Sequence, residues 1–454
     1  MKTTSALLLI SVVGLLAGCS TNQAPEPQGS AQAPSATKFH TLGAAPGDVA
    51  AASLHARGAL PISRIAVQVS QALPPFDVLG AGQAPVETTH LQTFHVTPVG
   101  MTGKMTIPID STDGESYLFL TPKAEGKDAI DAALRDIVVL DPAGVRVNLR
   151  ATKSEHAEED LAAMTTIPLA GHPAGNYTVQ FKSGMAKAGF ALEAHVPSSP
   201  IVMTLRPSTV EHLLGNQSYV DATLTENGKP ITGAHVTSRL IDGETLDDVT
   251  PAVFTEIGNG VYRAPLHTLL NDSHKVGAYL TDVVAEGASP SGATFQRHGR
   301  TGFHYGIPTA RIVGVVSQHT ITNPAGLITG FDVDVNVESA SLDRLEISGK
   351  MTVLGQDGQE HPISIAHTGQ AFEAGKQVIT LHFDAGNLRL TGAEGDFYVR
   401  DLQMFSLGTN TLFHRDLAAS NHVFPAIMRA SLMKLETLSP AQEQLVNEGT
   451  FRND

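Results

Sequence analysis

The fold is decided by residues 201–240, which read IVMTLRPSTVEHLLGNQSYVDATLTENGKPITGAHVTSRL. Apolar and polar residues alternate through 220–224 and again through 236–240, which is the period of a strand with one face in a core. Between these runs, residues 227–230 read NGKP, a sequence typical of a tight turn. The stretch therefore predicts two strands and a hairpin, and the neighbouring regions are interpreted as further modules of the same kind.

The first 19 residues predict export. They read MKTTSALLLISVVGLLAGC, with a basic Lys2, an apolar run over 6–16, and small residues before the only cysteine of the chain. This run is too short to cross the bilayer core, which is about 30 Å thick. A secretory signal is therefore predicted rather than a membrane span.

Residues 16–19, LAGC, resemble the bacterial lipobox. The resemblance implies that the Cys19 thiol receives a diacylglyceryl group and becomes the N-terminus after cleavage, so that the membrane is a partner through a lipid anchor. Two or three acyl chains hold a protein stably on a bilayer where one does not. Ser20 stands where an inner-membrane retention signal would have aspartate, which favours the outer membrane. The alternative is an ordinary cleaved signal with an incidental cysteine, and hence a secreted form.

The composition indicates a strand-rich globular protein that does not bind nucleic acid. The 454 residues include 42 glycines and 26 prolines, which suits short strands joined by many turns. The net charge of −15 argues against nucleic acid, whose phosphates require a basic face. With Cys19 consumed by lipid, no cysteine remains for a disulfide, a thiolate metal site or a nucleophile.

Two kinds of β-sandwich are suggested by resemblance. The blocks LDPAG at 140–144 and LAGHPAGNYTVQFKSG at 169–184 resemble the small jelly-roll modules appended to secreted bacterial hydrolases. The blocks GVY at 260–262, GAY at 277–279 and FQR at 295–297 resemble the bacterial immunoglobulin-like sandwich. Both resemblances imply a fold and no particular activity.

A third resemblance covers most of the predicted folded chain. Residues 331–338, FDVDVNVE, alternate without a break, and strand blocks follow at 378–383 and 397–402. Their order, and the pairing of this module with the one before it, resemble an exported Gram-negative family catalogued as domain of unknown function 4785. The resemblance implies tandem immunoglobulin-like β-sandwich modules without an assigned reaction.

The fold class that we predict is all-β, with three tandem β-sandwich modules after a signal peptide and a flexible linker. Residues 20–58 are rich in Ala, Pro, Ser, Gln and Gly, a composition that cannot offset its ordering entropy by burial. The predicted segments are the signal and lipobox at 1–19, a disordered linker at 20–58, a jelly-roll-like domain at 59–199, immunoglobulin-like domains at 200–309 and 310–425, and a tail with a short helix at 426–454.

Asp110, Asp113 and Glu115 form the candidate metal site. They place three carboxylates beside Gly114, just before a predicted strand, and calcium takes several oxygens from such a tight loop. Calcium or another divalent cation is therefore the one cofactor that the sequence suggests. The alternative is an Asp-Gly turn at the end of a strand. Asp332, Asp334, Asn336 and Glu338 also alternate with apolar residues, either as a solvated strand face or as an acidic rail for a cation or a basic partner.

The expected function is binding without catalysis. Neither Gly-x-Ser-x-Gly nor His-Glu-x-x-His occurs, and the absence of tryptophan weakens carbohydrate binding through exposed rings. We expect an envelope lipoprotein that binds another protein or a surface ligand. The alternatives are a hydrolase or accessory subunit acting on an envelope or extracellular polymer, and a structural spacer.

Overall fold

A computed structural model describes residues 48–58, 63–73, 87–89, 91–96, 103–113, 115–122, 137–148, 165–181, 190–418 and 423–452. Cys19 and residues 20–47 of the predicted linker lie outside these ranges. The strands before residue 200 are β1 (Val49–Ala50), β2 (Val67–Ala72), β3 (Glu87–Thr89), β4 (Leu91–Val96), β5 (Gly103–Ile109), β6 (Tyr117–Pro122), β7 (Ile137–Leu140), β8 (Thr165–Pro168), β9 (Gly175–Phe181) and β10 (Phe190–His195).

The remaining described elements are mostly strands. Between residues 200 and 309 these are β11 (Ile201–Pro207), β12 (Glu211–Leu213), β13 (Tyr219–Glu226), β14 (Lys229–Pro230), β15 (His235–Asp242), β16 (Asp248–Val253), β17 (Thr255–Gly258), β18 (Val261–Pro265), β19 (Gly277–Ala288) and β20 (Thr294–Gly306). After residue 309 they are β21 (Ala310–Thr322), β22 (Ile328–Ser339), β23 (Asp343–Leu354), β24 (Glu360–Phe372), β25 (Gly375–Asp384), α1 (Ala385–Thr391), β26 (Gly395–Ser406), β27 (Thr411–Asp416), β28 (Val423–Ile427) and α2 (Pro440–Asn447). The described chain is thus all-β, as predicted.

The strands form three two-sheet sandwiches. The N-terminal sandwich consists of the sheets β4-β10-β6-β8 and β5-β9-β7, with Ile107, Leu118 and Tyr177 in its core. The central sandwich has the sheet β17-β18-β13-β11-β3, with β14 on β13, and the sheet β12-β20-β19-β15-β16. The C-terminal sandwich has the sheet β1-β27-β26-β23-β24-β2, with β28 on β26, and the sheet β21-β22-β25.

The stretch at 201–240 forms its predicted strands, but they do not pair with each other. The turn at Asn227 and Gly228 has positive φ at both residues, 50° and 75°, as a type I′ hairpin turn requires. It joins β13 to the two-residue β14, whereas β15 lies in the opposite sheet. The two predicted strands and the turn are therefore confirmed, whereas the pairing of these strands as one hairpin is wrong, because the hairpin partner of β13 is β14. The chain changes sheets after Ile231, which is buried in the core between them.

The predicted domain boundaries before residue 91 are wrong. Residues 48–58 belong to the fold and not to a linker, because β1 pairs with β27. β2 was expected in the N-terminal domain, but it pairs with β24 of the C-terminal sandwich. β3 pairs with β11 of the central sandwich, so the N-terminal sandwich begins only at β4. We call the described residues 48–58 and 63–73 the N-terminal strap.

The interior of the C-terminal sandwich follows the strand alternation. Along β22, Phe331, Val333, Val335 and Val337 are all buried, and each such side chain contributes about 1.5–3 kcal/mol by its burial.

The terminal helix α2 has the predicted start: Ser439 accepts from the Gln442 amide, and the Gln442 side chain accepts from the Ser439 amide. This reciprocal capping box satisfies two of the free amides at the helix N-terminus.

Candidate functional site

Asp110 lies at the junction of the N-terminal and central sandwiches and binds an arginine. Its Oδ2 accepts from Arg297 Nη2 and from the Ser199 hydroxyl, and both charged side chains are almost completely buried. Arg297 Nε also donates to the Ile201 carbonyl at 2.9 Å. Burial lowers the pKa of Arg297, and the charge of Asp110 opposes this shift. These contacts therefore connect Asp110, just after the end of β5, with Arg297 on β20 and with residues 199–201, where the N-terminal sandwich leads into the central one.

Asp113 and Glu115 lie on the turn that follows. Asp113 Oδ1 accepts from the Ser116 hydroxyl at 3.1 Å and from the Glu115 amide at 3.3 Å. Hydrogen bonds from Ser198, Ser116 and this amide lower the pKa of Asp113, in spite of some desolvation. Glu115 is exposed. Asp110 Oδ1 is buried without a hydrogen-bond partner among the described residues. This oxygen of the predicted ligand set can therefore still accept a hydrogen bond or bind a cation.

No group of three or more His, Cys, Asp or Glu side chains that could hold a metal ion occurs in the described ranges. Asp110 has instead turned towards Arg297, a partner that the sequence analysis missed. The cation at Asp110, Asp113 and Glu115 stays a prediction. Within the same ranges, no helix is long and apolar enough to span a membrane.

The acidic side chains of β22 point away from the core, as the solvated-face alternative predicted. They contact side chains on the two neighbouring strands. Asp332 contacts His382 at 2.6 Å and Asp334 accepts from Thr380 at 2.6 Å. Glu338 accepts from Arg311 at 2.6 Å. β22 is the middle strand of its sheet, so these residues do not protect a sheet edge. Their cross-strand contacts stabilise the sheet by amounts typical of such pairs, about 0.2–1 kcal/mol each.

A second buried arginine lies in the C-terminal sandwich. Arg400 is fully buried and binds Glu360 with two hydrogen bonds, from Nε at 2.9 Å and from Nη2 at 3.0 Å. Thr352 donates to the same carboxylate at 2.9 Å. Two parallel hydrogen bonds of this kind are the strongest geometry for an arginine and a carboxylate.

Asp401, the next residue, adopts a left-handed backbone conformation with φ of 48°. A register shift in the pairing of β23 with β26 lies beside it, and such bulges redirect side chains. Asp401 accepts from Lys350 at 2.7 Å and from Arg415 at 2.9 Å. Burial alone would raise the pKa of Asp401, but the hydrogen bonds and charges of these two cations outweigh it and lower the pKa. Every carboxylate oxygen of Glu360 and Asp401 is therefore engaged.

His212 is a buried histidine of the central sandwich. It is buried beside Phe303 and Tyr305, and its Nδ1 shares a hydrogen bond with the Ser218 hydroxyl. Its Nε2 is buried without a partner among the described residues. Burial, and secondarily the charge of His267, lower the pKa of His212 to about 4. The imidazole is therefore neutral at pH 7.

The most accessible apolar surface of the strap lies on the edge strand β2 and just before it. Ile65, two residues before β2, is 72% exposed, and Val67 and Val69 on β2 are 48% and 49% exposed. As alternate residues of a strand, Val67 and Val69 share one face. β2 pairs only with β24 among the described strands. An exposed apolar row on a sheet edge is a feature of interaction sites and is usually avoided elsewhere.

Known proteins resemble this chain in one sequence domain and in overall fold. The model of the domain of unknown function (DUF4785) C-terminal domain matches residues 310–419. None of the curated proteins compared with the chain matches it. The crystal structure of a DUF4785 family protein from Legionella pneumophila matches 85% of this chain and 99% of its own, with 14% identity and a TM-score of 0.57.

Two further solved structures are less similar. A Bacillus licheniformis lipase in its propeptide form has 10% identity over 50% of this chain and 44% of its own, with a TM-score of 0.28. Salmonella alpha-2-macroglobulin reacted with methylamine has 12% identity over 79% of this chain and 24% of its own, with a TM-score of 0.21. These scores are too low to indicate a common overall fold. The family resemblance predicted from the strand blocks is confirmed: residues 310–419 match the C-terminal domain model of the family designated domain of unknown function 4785, and the fold matches that of the Legionella member of this family.

Proposed function

We propose that the protein is a non-catalytic envelope lipoprotein, anchored in the outer membrane through Cys19, that binds another protein or a surface ligand. The observation that supports this function is the exposed apolar row formed by Ile65, just before the edge strand β2, and by Val67 and Val69 on it. Exposing three alternate β-branched side chains costs solubility, and binding of an apolar partner surface offsets that cost. The row therefore serves as the contact surface.

The proposal is tested by crosslinking in intact cells. A photoreactive residue at position 67 is compared with one at position 253, because Val253 is equally apolar, is 74% exposed and lies on the edge strand of another sandwich. We expect a discrete crosslinked product from position 67 alone, and its loss when Val69→Lys is added. Identical products from both positions, or none from position 67, would contradict this function.

A structural spacer is the second candidate, and the junction between the first two sandwiches supports it. The buried contact of Arg297 with Asp110 fixes two modules that short linkers would otherwise leave free to move. A spacer needs no exposed apolar row. If Val69→Lys leaves every crosslinked product unchanged, the spacer function is favoured over binding.

A further inference from the structure

One segment occupies both edges of the large sheet in the C-terminal sandwich. β1 pairs with β27 at one edge and β2 pairs with β24 at the other. Between them, the strap contacts the end of the sandwich: the His55 amide donates to the Pro308 carbonyl at 2.9 Å, and Arg344 donates to the Ser63 carbonyl at 2.7 Å. Both edges are therefore supplied by residues that precede the other two sandwiches in sequence.

β2 is held by its backbone more than by burial. Its ladder with β24 runs without a register shift from the Val67/Gly369 pair to the Ala72/Ser364 pair, yet only Ala72 of its six residues is buried. By contrast, β22 buries every second side chain. Because apolar burial contributes most of the stability of a strand in a sandwich, β2 is expected to detach at a free energy well below that of global unfolding.

The surface beneath β2 has features that select a strand. The Ser70 hydroxyl accepts from the Asp384 amide, and the Ser70 carbonyl accepts from Asn387 Nδ2, each at 3.0 Å. Ala72 packs against Leu390 of α1 and against Phe451. This contact leaves room for a small side chain, since Ala72 is 4% exposed there. The acceptor surface thus recognises a hydroxyl residue followed, two positions later, by a small apolar one.

We propose that the β24 edge is a strand-accepting binding site that β2 closes from within the same chain. Its ligand class is an extended polypeptide strand with the pattern of Ser70 and Ala72, which adds to the sheet by main-chain hydrogen bonds. β2 is the occupant in the closed state and shows what fits. The site goes beyond the function proposed above, and it depends neither on lipid at Cys19 nor on a partner that contacts the exposed face of β2.

The variant that opens the site is Val69→Pro. The Leu73 amide donates to the Ile363 carbonyl at 2.9 Å, and amides along an antiparallel edge face the neighbouring strand at every second residue. The Val69 amide therefore faces β24, and proline there removes a ladder hydrogen bond. Val69→Thr is the matched control, because it keeps both the amide and the β-branched shape.

The probe is a fluorescent peptide with the sequence of residues 63–73, SRIAVQVSQAL, added to the full-length chain. Fluorescence anisotropy should show at least about tenfold tighter binding to Val69→Pro than to the wild type or Val69→Thr, a difference of about 1.4 kcal/mol. A peptide with Ala72→Lys should not bind. A concentration-dependent dimer of Val69→Pro that excess peptide dissociates would also support strand acceptance. Equal binding to all three proteins, or of both peptides, would refute it.

Hydrogen exchange of the wild type keeps the inference testable if Val69→Pro does not fold. The amides of Val69, Gln71 and Leu73 should exchange about a hundredfold faster than those of Val333 and Val335 on β22, through an opening that leaves β22 protected. If the β2 amides exchange only with global unfolding, β2 is a permanent part of the sheet. The inference is then wrong, whatever the crosslinking experiment gives.

Discussion

Arg297 and Arg400 are the two largest fully buried side chains in the part of the chain that the structure describes. Each binds one carboxylate, Asp110 or Glu360. Burying an arginine costs several kcal/mol unless its charge and its N–H groups are compensated. Arg297 could have been singled out from the sequence, because it lies on the same face of its strand as the apolar Phe295. Its partner could not, because Asp110 lies 187 residues away.

Removing the Arg400 charge should destabilise the protein strongly. Arg400→Met leaves Glu360 buried without its cation, and we expect a loss of about 3–5 kcal/mol in the free energy of unfolding. The double variant Arg400→Met with Glu360→Leu should recover most of this loss, since a hydrophobic replacement of both partners needs no charge compensation. Urea unfolding measures both values.

Arg311→Met provides the control, because the contact of Arg311 with Glu338 is partly exposed and such contacts contribute about 0–1 kcal/mol. A double variant no more stable than Arg400→Met alone would mean that Arg400 acts by its shape and its other contacts rather than by its charge.

His212 should make the protein sensitive to acid. Its pKa is about 4 in the folded state and about 6.5 in an unfolded chain, so between these pH values the unfolded state binds more protons. Stability contributed by the neutral imidazole is therefore complete above pH 6.5 and falls as the pH drops towards 4, by about 3 kcal/mol in all. His212→Gln should flatten this dependence in unfolding curves recorded from pH 7 to pH 4.

His235→Gln is the matched comparison, since His235 is exposed and lies in the same sandwich. An unchanged pH dependence in His212→Gln would show that other groups cause the acid sensitivity.

At the scale of elements, period-two alternation predicted strands where one face is buried, and it predicted β13, β15 and β22. It did not predict β2 as a strand, although Val67 and Val69 alternate with polar residues; these residues were expected only as part of the N-terminal domain at 59–199. Alternation also carries no information about which strand is the neighbour. β13 and β15 have only one strand, the two-residue β14, between them in sequence but lie in opposite sheets, whereas β2 and β24 are neighbours about 300 residues apart. Sheet membership therefore had to come from the structure.

At the scale of the whole molecule, the number and order of the sandwiches were predictable and their connections were not. The predicted cation site lies at such a connection. If calcium binds Asp110, Asp113 and Glu115, calorimetry should show an unfolding midpoint that rises with calcium and falls with a chelator. At a calcium concentration of a hundred times Kd the stabilisation is about 2.7 kcal/mol. Asp113→Asn should abolish the response.

Asp357→Asn serves as the control variant, because Asp357 is likewise a turn carboxylate that accepts from a nearby backbone amide but lies in the C-terminal sandwich. If neither calcium nor the chelator changes the unfolding midpoint, Asp110 has a purely structural role as the partner of Arg297.

The position of the strap has a consequence for biosynthesis. The partners of Val49 and Val67 are Arg415 and Gly369, so a part of the fold that is translated before the three sandwiches is among the last to pair. The strap must stay unpaired while more than 300 residues follow it, and until then β24 and β27 have open edges that invite aggregation. The rate-limiting step of folding is therefore expected to be the pairing of the strap with the C-terminal sandwich.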